Sequence, residues 1–185
     1  MLRPTLIAAL PAMTALLLFA GMALAGPSED LAKLCDRYWQ GYLMVNPTAA
    51  TGLGDKRYDD RLEDISPAGV TKERKRLESI AAAARSIDRE KLSQADRLTR
   101  DALIEEVDDQ LAWYGCGFEQ WVVDPLGGPQ VQLMNLPDYT TIDTPKDAAA
   151  FVKRVRAMGP YLNEHVANLR DGLSLRKTAS VDAVL

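Results

Sequence analysis

Residues Ser66–Ile87 read SPAGVTKERKRLESIAAAARSI, and this stretch decides the fold. Ser66 can accept from the free N–H groups of a helix start, and Pro67 stands at the first helical position, where its missing N–H costs nothing. Val70, Leu77, Ile80, Ala81, Ala84 and Ile87 follow at helical spacing and form one apolar stripe. Lys72, Glu73, Arg74, Lys75, Arg76 and Glu78 mostly face solvent in this reading. The interleaved acids favour a solvated face over an anion site.

The same pattern extends in both directions. Upstream, Ser28 is expected to cap a helix with Glu29 and Asp30 in its first turn, and Leu31, Leu34, Cys35, Tyr38, Tyr42 and Val45 as its stripe. Pro47 disfavours helix at Asn46 and stops it. A turn over Thr48–Gly54 and a polar loop over Asp55–Ile65 come next. Downstream, Ser93 caps a helix reaching about Tyr114, with Leu98, Ala102, Leu103, Val107, Leu111 and Tyr114 as its stripe and Gly115 and Gly117 at its end. The segment Phe118–Pro137 is apolar, aromatic and broken by Pro125, Gly127, Gly128, Pro129 and Pro137. It reads as a partly buried loop with one short helix over Gln130–Leu136.

Thr144-Pro145 opens a further helix, with Asp147 in its first turn and Ala148, Phe151, Val152 and Val155 on one face. Gly159-Pro160 is expected to break it and start another, in which Tyr161, Leu162, Val166 and Leu169 pack and Gly172 marks the end. No stretch reads as a strand. Short connections favour antiparallel neighbours, so the fold class is all-α: an antiparallel bundle of about five helices with an irregular Pro/Gly-rich insertion. Residues 173–185 read as the start of another element, because Val181, Val184 and Leu185 are apolar and no stop signal follows.

The first 25 residues stand apart from this domain. Arg3 is their one charged side chain, an apolar run follows from Thr5 to Leu24, and small residues close it at Ala23-Leu24-Ala25. This is the layout of a secretory signal peptide cut between Ala25 and Gly26. The densest part, Ala12–Ala20, is shorter than the roughly 20 apolar residues that cross a bilayer, which disfavours an uncleaved anchor. Removing 25 residues and one positive charge from 185 residues at net charge −4 leaves 160 at −5. The expectation is a helical domain over residues 26–185, exported to the periplasm or the exterior, with no stable membrane span after cleavage.

Composition excludes several functions. A hydrophobic fraction of 47% with 26% charged residues argues against disorder. The acidic balance argues against nucleic acid as a partner, since neutralising phosphates needs excess Lys and Arg. An oxidising compartment makes a Cys35–Cys116 disulfide possible, with two free buried thiols as the other reading; the pair lacks redox CxxC spacing. His165 is the sole histidine, so no HExxH zinc helix exists here, and a helix-surface or boundary position suits it better than catalysis. Glu105, Glu106, Asp108 and Asp109 read as exposed surface, and Trp39, Trp113 and Trp121 as packing residues. Gly127-Gly128 lacks the continuation of a phosphate loop.

The most informative polar cluster is Tyr58-Asp59-Asp60-Arg61-Leu62. An aspartate and Arg61 can order this loop by a charge-assisted bond, or Arg61 can meet a carboxylate ligand. Four stretches together resemble the start of the bacterial family called domain of unknown function 885. They are Asn46-Pro47-Thr48-Ala49-Ala50-Thr51-Gly52-Leu53-Gly54, the Tyr58–Leu62 loop, Asp124-Pro125-Leu126-Gly127-Gly128, and Pro160-Tyr161-Leu162 followed by Leu169-Arg170-Asp171-Gly172.

The resemblance implies an exported, helical, zinc metallopeptidase-like hydrolase of the carboxypeptidase-like kind, whose HExxH helix lies far downstream of this region in members several times longer. No zinc ligand or general base of that motif matches a position here, so zinc is expected only in a full-length relative and no catalytic residue is assigned. By this resemblance the chain is the N-terminal portion of such a fold. Its partner is then the missing C-terminal portion or a peptide-like small substrate, and Tyr58, Asp60 and Arg61 are the candidates for a substrate-facing wall. The competing reading is a free-standing periplasmic helical binding or scaffold module.

Overall fold

The computed structural model describes residues 26–121 and 123–178. Among these residues six α-helices follow in order: α1 (Pro27–Val45), α2 (Pro47–Gly52), α3 (Pro67–Ser86), α4 (Gln94–Cys116), α5 (Pro129–Tyr139) and α6 (Pro145–Ser174). Short 3-10 turns occur at Lys56–Tyr58, Arg89–Lys91 and Phe118–Gln120, and no strand occurs among the described residues. The expected leader over residues 1–25 and the apolar tail Ser180–Leu185 lie outside the described residues.

The deciding stretch folds as its residues dictate. Ser66 Oγ accepts from Gly69 N–H at 3.0 Å with Pro67 next to it at the start of α3. Ser93 caps α4 in the same way, and Gly117, at φ 61°, ends it in the left-handed conformation that suits glycine. The short connection makes α3 and α4 antiparallel, and α4 is tied by Arg85–Asp108 to the last turn of α3 and by Arg89–Asp101 to the connection. Leu34 of α1 joins Leu77, Ile80, Ala81 and Ala84 of α3 and Leu103 and Val107 of α4 in one buried cluster. Each fully buried Leu or Ile there contributes about 1.5–3 kcal/mol from apolar area removed from water.

Helix α6 is attached differently, because the buried core cluster contains none of its residues. Side chains hold it instead. Arg154 reaches into the loop between α2 and α3, Asn168 donates to the Ile65 carbonyl at 2.9 Å, and Gly172 lies against the Gln120 backbone. A Cβ on Gly172 would overlap the Gln120 carbonyl oxygen, so only glycine permits this approach.

Several expectations need correction. Ser28 is not the cap of α1; Gly26 takes that position with Pro27 behind it, and Ser28 Oγ donates across to Asp96 at 2.8 Å. The expected Thr48–Gly54 turn is mostly the helix α2, opened by Pro47. Gly159-Pro160 does not break the chain: α6 runs through both, giving one 30-residue helix. The carbonyl that Pro160 leaves without a helical donor is that of Arg156, an exposed residue, so it can bond to water.

Leu98, Ala102, Val152, Val155, Leu162 and Val166 are exposed, not packed. On α6 the inward face is instead Phe151, Arg154, Met158, Tyr161, His165, Asn168 and Gly172, rotated by one residue from the expected face. Trp39 and Trp113 are also exposed. Glu73 is buried, against expectation, because Arg76 holds its carboxylate with two hydrogen bonds at 2.7 and 2.6 Å. Both cysteines are free; Cys35 packs beside the core and Cys116 is exposed. Burial pushes the Cys35 thiol pKa up.

Candidate functional site

The loop Tyr58–Leu62 is built around a residue whose role the sequence reading left open. Asp59 is 3% exposed and accepts from Thr51 Oγ1 at 2.5 Å. Facing it at 3.6 Å is Arg154 of α6, which is 0% exposed. Arg154 also donates from Nε to the Arg61 carbonyl at 2.9 Å, and from one terminal nitrogen to the Tyr58 carbonyl at 2.7 Å and the Pro47 carbonyl at 3.3 Å. One guanidinium therefore joins α2, the loop and α6. Burial lowers its pKa while Asp59 and Glu63 oppose that shift, and an arginine stays charged throughout.

Around this lock the loop is fastened by part-buried and exposed pairs. Thr48 N–H and Oγ1 both donate to the Glu63 carboxylate, and Lys56 reaches Asp143 at 2.8 Å and Asp147 at 3.1 Å at the start of α6. Asp60 accepts from Lys153 at 2.6 Å and from Arg61 at 3.2 Å. The Lys153 ammonium, and then Arg61, hold the Asp60 carboxyl below its usual range.

The three sequence candidates thus part company. Tyr58 is half-buried, with Arg57 and Arg61 both within cation–π reach of its ring, at 5.3 and 5.5 Å from the centroid. Asp60 is an anchor for α6. Arg61 alone faces open space on both sides of the loop. On one side lies a groove of about 460 Å³ along α6, lined by Asp60, Leu62, Lys153, Ala157, Tyr161 and Glu164. On the other is a more enclosed pocket of about 280 Å³ with Met44, Val45, Leu62, Lys72, Glu73 and Arg76.

This arrangement offers groups for binding a ligand. In the enclosed pocket Glu73 is taken up by Arg76 and Asp64 accepts from Ser66, which leaves Lys72, and Arg61 with its bond to Asp60, as exposed cations beside an apolar wall. That combination suits a carboxylate carried on an apolar body. Ser66, which lines the groove along α6, has its hydroxyl occupied in donating to Asp64 at 2.6 Å and accepting from Gly69. Among the described residues no group of three or more His, Cys, Asp and Glu side chains is placed to hold a metal ion. The donor set does not fit zinc, and no step of chemistry is assigned to a metal here.

Asp59 and Arg154 carry the architecture, and one of them had a visible signal. Arg154 stands in phase with Phe151, Met158 and Tyr161, so a charged residue on an otherwise inward helix face marks a buried partner elsewhere. Choosing Asp59 over Asp60 needs the fold, because adjacent loop carboxylates look alike in sequence.

The locked segment also coincides with the stretch that relates the chain to other proteins. The family described as "Bacterial protein of unknown function (DUF885)" matches residues 47–184. The chain belongs to this family. The match starts at Pro47, whose carbonyl Arg154 grasps, and takes in the whole Asp59–Arg154 lock. No curated protein matches the chain. Among the described residues no helix is long and apolar enough to cross a membrane.

Proposed function

We propose that this DUF885 chain is the N-terminal helical portion of an exported, metallopeptidase-like hydrolase, supplying one wall of a substrate cleft and no catalytic group of its own. One observation carries this reading: the outer face of α6 is apolar and uncovered. Val152, Val155, Gly159, Leu162, Val166, Leu169 and Leu173 follow at alternating steps of three and four residues. Val152, Val155, Leu162, Val166 and Leu173 are each 38% or more exposed. A seam over more than two heptads is a packing surface for another helical layer.

On this reading the Asp59–Arg154 lock sets the position of α6, so that its outer seam meets the remainder of the hydrolase while Arg61 and Lys72 line the cleft wall. Their role is to hold a carboxylate of a peptide-like substrate. The direct experiment reads the coding DNA past codon 185. An in-frame continuation with an HExxH helix is the expected result, and an intergenic stretch overturns the proposal. A protein-level check is the solution state of the chain: association driven by the seam, relieved by Leu162→Asp, is expected. A monodisperse, cooperatively melting monomer counts for the free-standing binding or scaffold module.

A further inference from the structure

A third cavity lies away from the Tyr58–Leu62 loop, where the end of α4 meets α6 and the start of α5. It measures about 490 Å³ and is lined by Trp113, Phe118, Glu119, Asp124, Gln132 and His165, with the backbone at Gly127–Pro129 closing one side. Its chemistry is one-sided. The lining holds two carboxylates and two aromatic rings, and it contains no lysine or arginine.

The side chains around it favour a cation. Glu119 is half-buried, and among the described residues no hydrogen bond or ion pair to its carboxylate is found. Asp124 is fixed in place, since its Oδ1 accepts from Leu126 N–H at 2.8 Å. Trp113 and Phe118, whose ring centroids stand 4.3 Å apart at 43°, both line the cavity, and Phe118 also meets Trp121 at 5.2 Å. His165 adds no positive charge: burial lowers its pKa, and its ring is held edge-on by Tyr161 at 4.7 Å. Its Nε2 is enclosed and has no hydrogen-bond partner.

We propose that this cavity is an organic-ammonium site. Aromatic faces attract a cation through their quadrupole, and the two lining carboxylates supply a counter-charge that no lining lysine or arginine takes up. The volume suits a small alkylammonium group rather than a bare metal ion, for which the described residues offer no ligand cluster. Two sources share this chemistry, a primary amine such as the amino end of a peptide and a quaternary amine such as choline. The site stands independently of whether the chain belongs to a larger hydrolase.

The test titrates the full chain with hexylammonium and with choline, followed by tryptophan fluorescence and by the His165 ring signals in NMR. The controls are hexanol and 3,3-dimethylbutanol, their neutral isosteres. Saturable binding of at least one cation, with shifts at His165 and binding of its neutral isostere about tenfold weaker or absent, is expected. The arm that binds identifies the source. Glu119→Gln is expected to weaken binding about fivefold to tenfold without affecting folding, because Glu119 holds no structural bond. Trp113→Leu, at an exposed position, should weaken it by a similar factor. Equal binding of cation and neutral isostere overturns the proposal, as does binding untouched by Glu119→Gln or a His165 signal that does not move.

Discussion

Replacing Arg154 by methionine tests the account of how α6 is held. The side chain is fully buried, and methionine fills a similar length without charge or donors. The change leaves Asp59 with Thr51 alone, strands the Arg61 carbonyl, and takes one donor each from the Pro47 and Tyr58 carbonyls, which keep the Thr51 hydroxyl and the Arg61 N–H. Breaking a buried pair by deleting one partner costs about 3–5 kcal/mol, and a stranded buried acceptor about 1–3 kcal/mol. These costs overlap, so about 4 kcal/mol is the expected loss. Against a total of about 5–15 kcal/mol for a domain, this is a large share. With a urea slope near 2 kcal/mol/M, the midpoint should fall by about 2 M. Far-UV circular dichroism in urea at neutral pH reads the loss. The double variant Asp59→Asn/Arg154→Met should cost clearly less than the two single changes added together. A loss under about 1 kcal/mol for Arg154→Met, or strict additivity, would refute the claim that this pair fastens the helix.

Other perturbations address separate contacts. Gly172→Ala places a Cβ on the Gln120 carbonyl, where backbone cannot yield, and should cost about 1–3 kcal/mol. Amide exchange at Leu175 and Lys177 should rise with it, and unchanged exchange would mean the contact is slack. Asp60 has its folded pKa lowered, so its contribution is present above the unfolded value of about 3.9 and fades as pH falls through the folded one. Lys153→Met should return the Asp60 titration toward that value in NMR, with a stability loss under about 1 kcal/mol because Lys153 is exposed. His165 is also shifted down, by burial, which keeps it neutral in the fold. Its contribution is complete above about pH 6.5 and is lost as pH drops below that, since the unfolded chain takes the proton first. His165→Gln should flatten the stability profile between pH 7 and 5, and an unchanged slope would show that another group titrates there.

The helices were legible wherever caps and stripes agreed. Ser66-Pro67, Ser93, Gly117 and Thr144-Pro145 each sit where the sequence places them, because a cap acts through its own next turn and needs no distant partner. What failed were judgements that depend on a neighbour. Pro160 looks like a break only if its turn is buried, and it faces water. Glu73 looks like surface until Arg76 folds over it, and Asp59 looks like Asp60 until α6 arrives with Arg154. The loop was recognisable as important from its residues, yet the roles within it were not. Arg61 keeps its place as the exposed candidate, while Tyr58 and Asp60 are taken up in packing and ion pairing.

The one-residue rotation of α6 explains why its faces were misread and what the helix is for. Phe151, Arg154, Met158, Tyr161, His165, Asn168 and Gly172 make one seam at steps of three and four. Val152, Val155, Gly159, Leu162, Val166, Leu169 and Leu173 make a second, offset by a single residue. Two adjacent seams give an apolar arc wider than a surface helix uses, and periodicity alone cannot say which half faces in. Polar side chains decide it. Arg154 and Asn168 find backbone carbonyls only on the inner side, and Gly172 allows close approach only there. The helix is thus oriented by hydrogen bonds and contacts that apolar packing could not specify, and this leaves its more uniformly apolar seam outward. If the outer seam were what oriented α6, Arg154→Met would leave its position unchanged; if the lock orients it, that substitution should expose the connection 140–144 to protease cleavage.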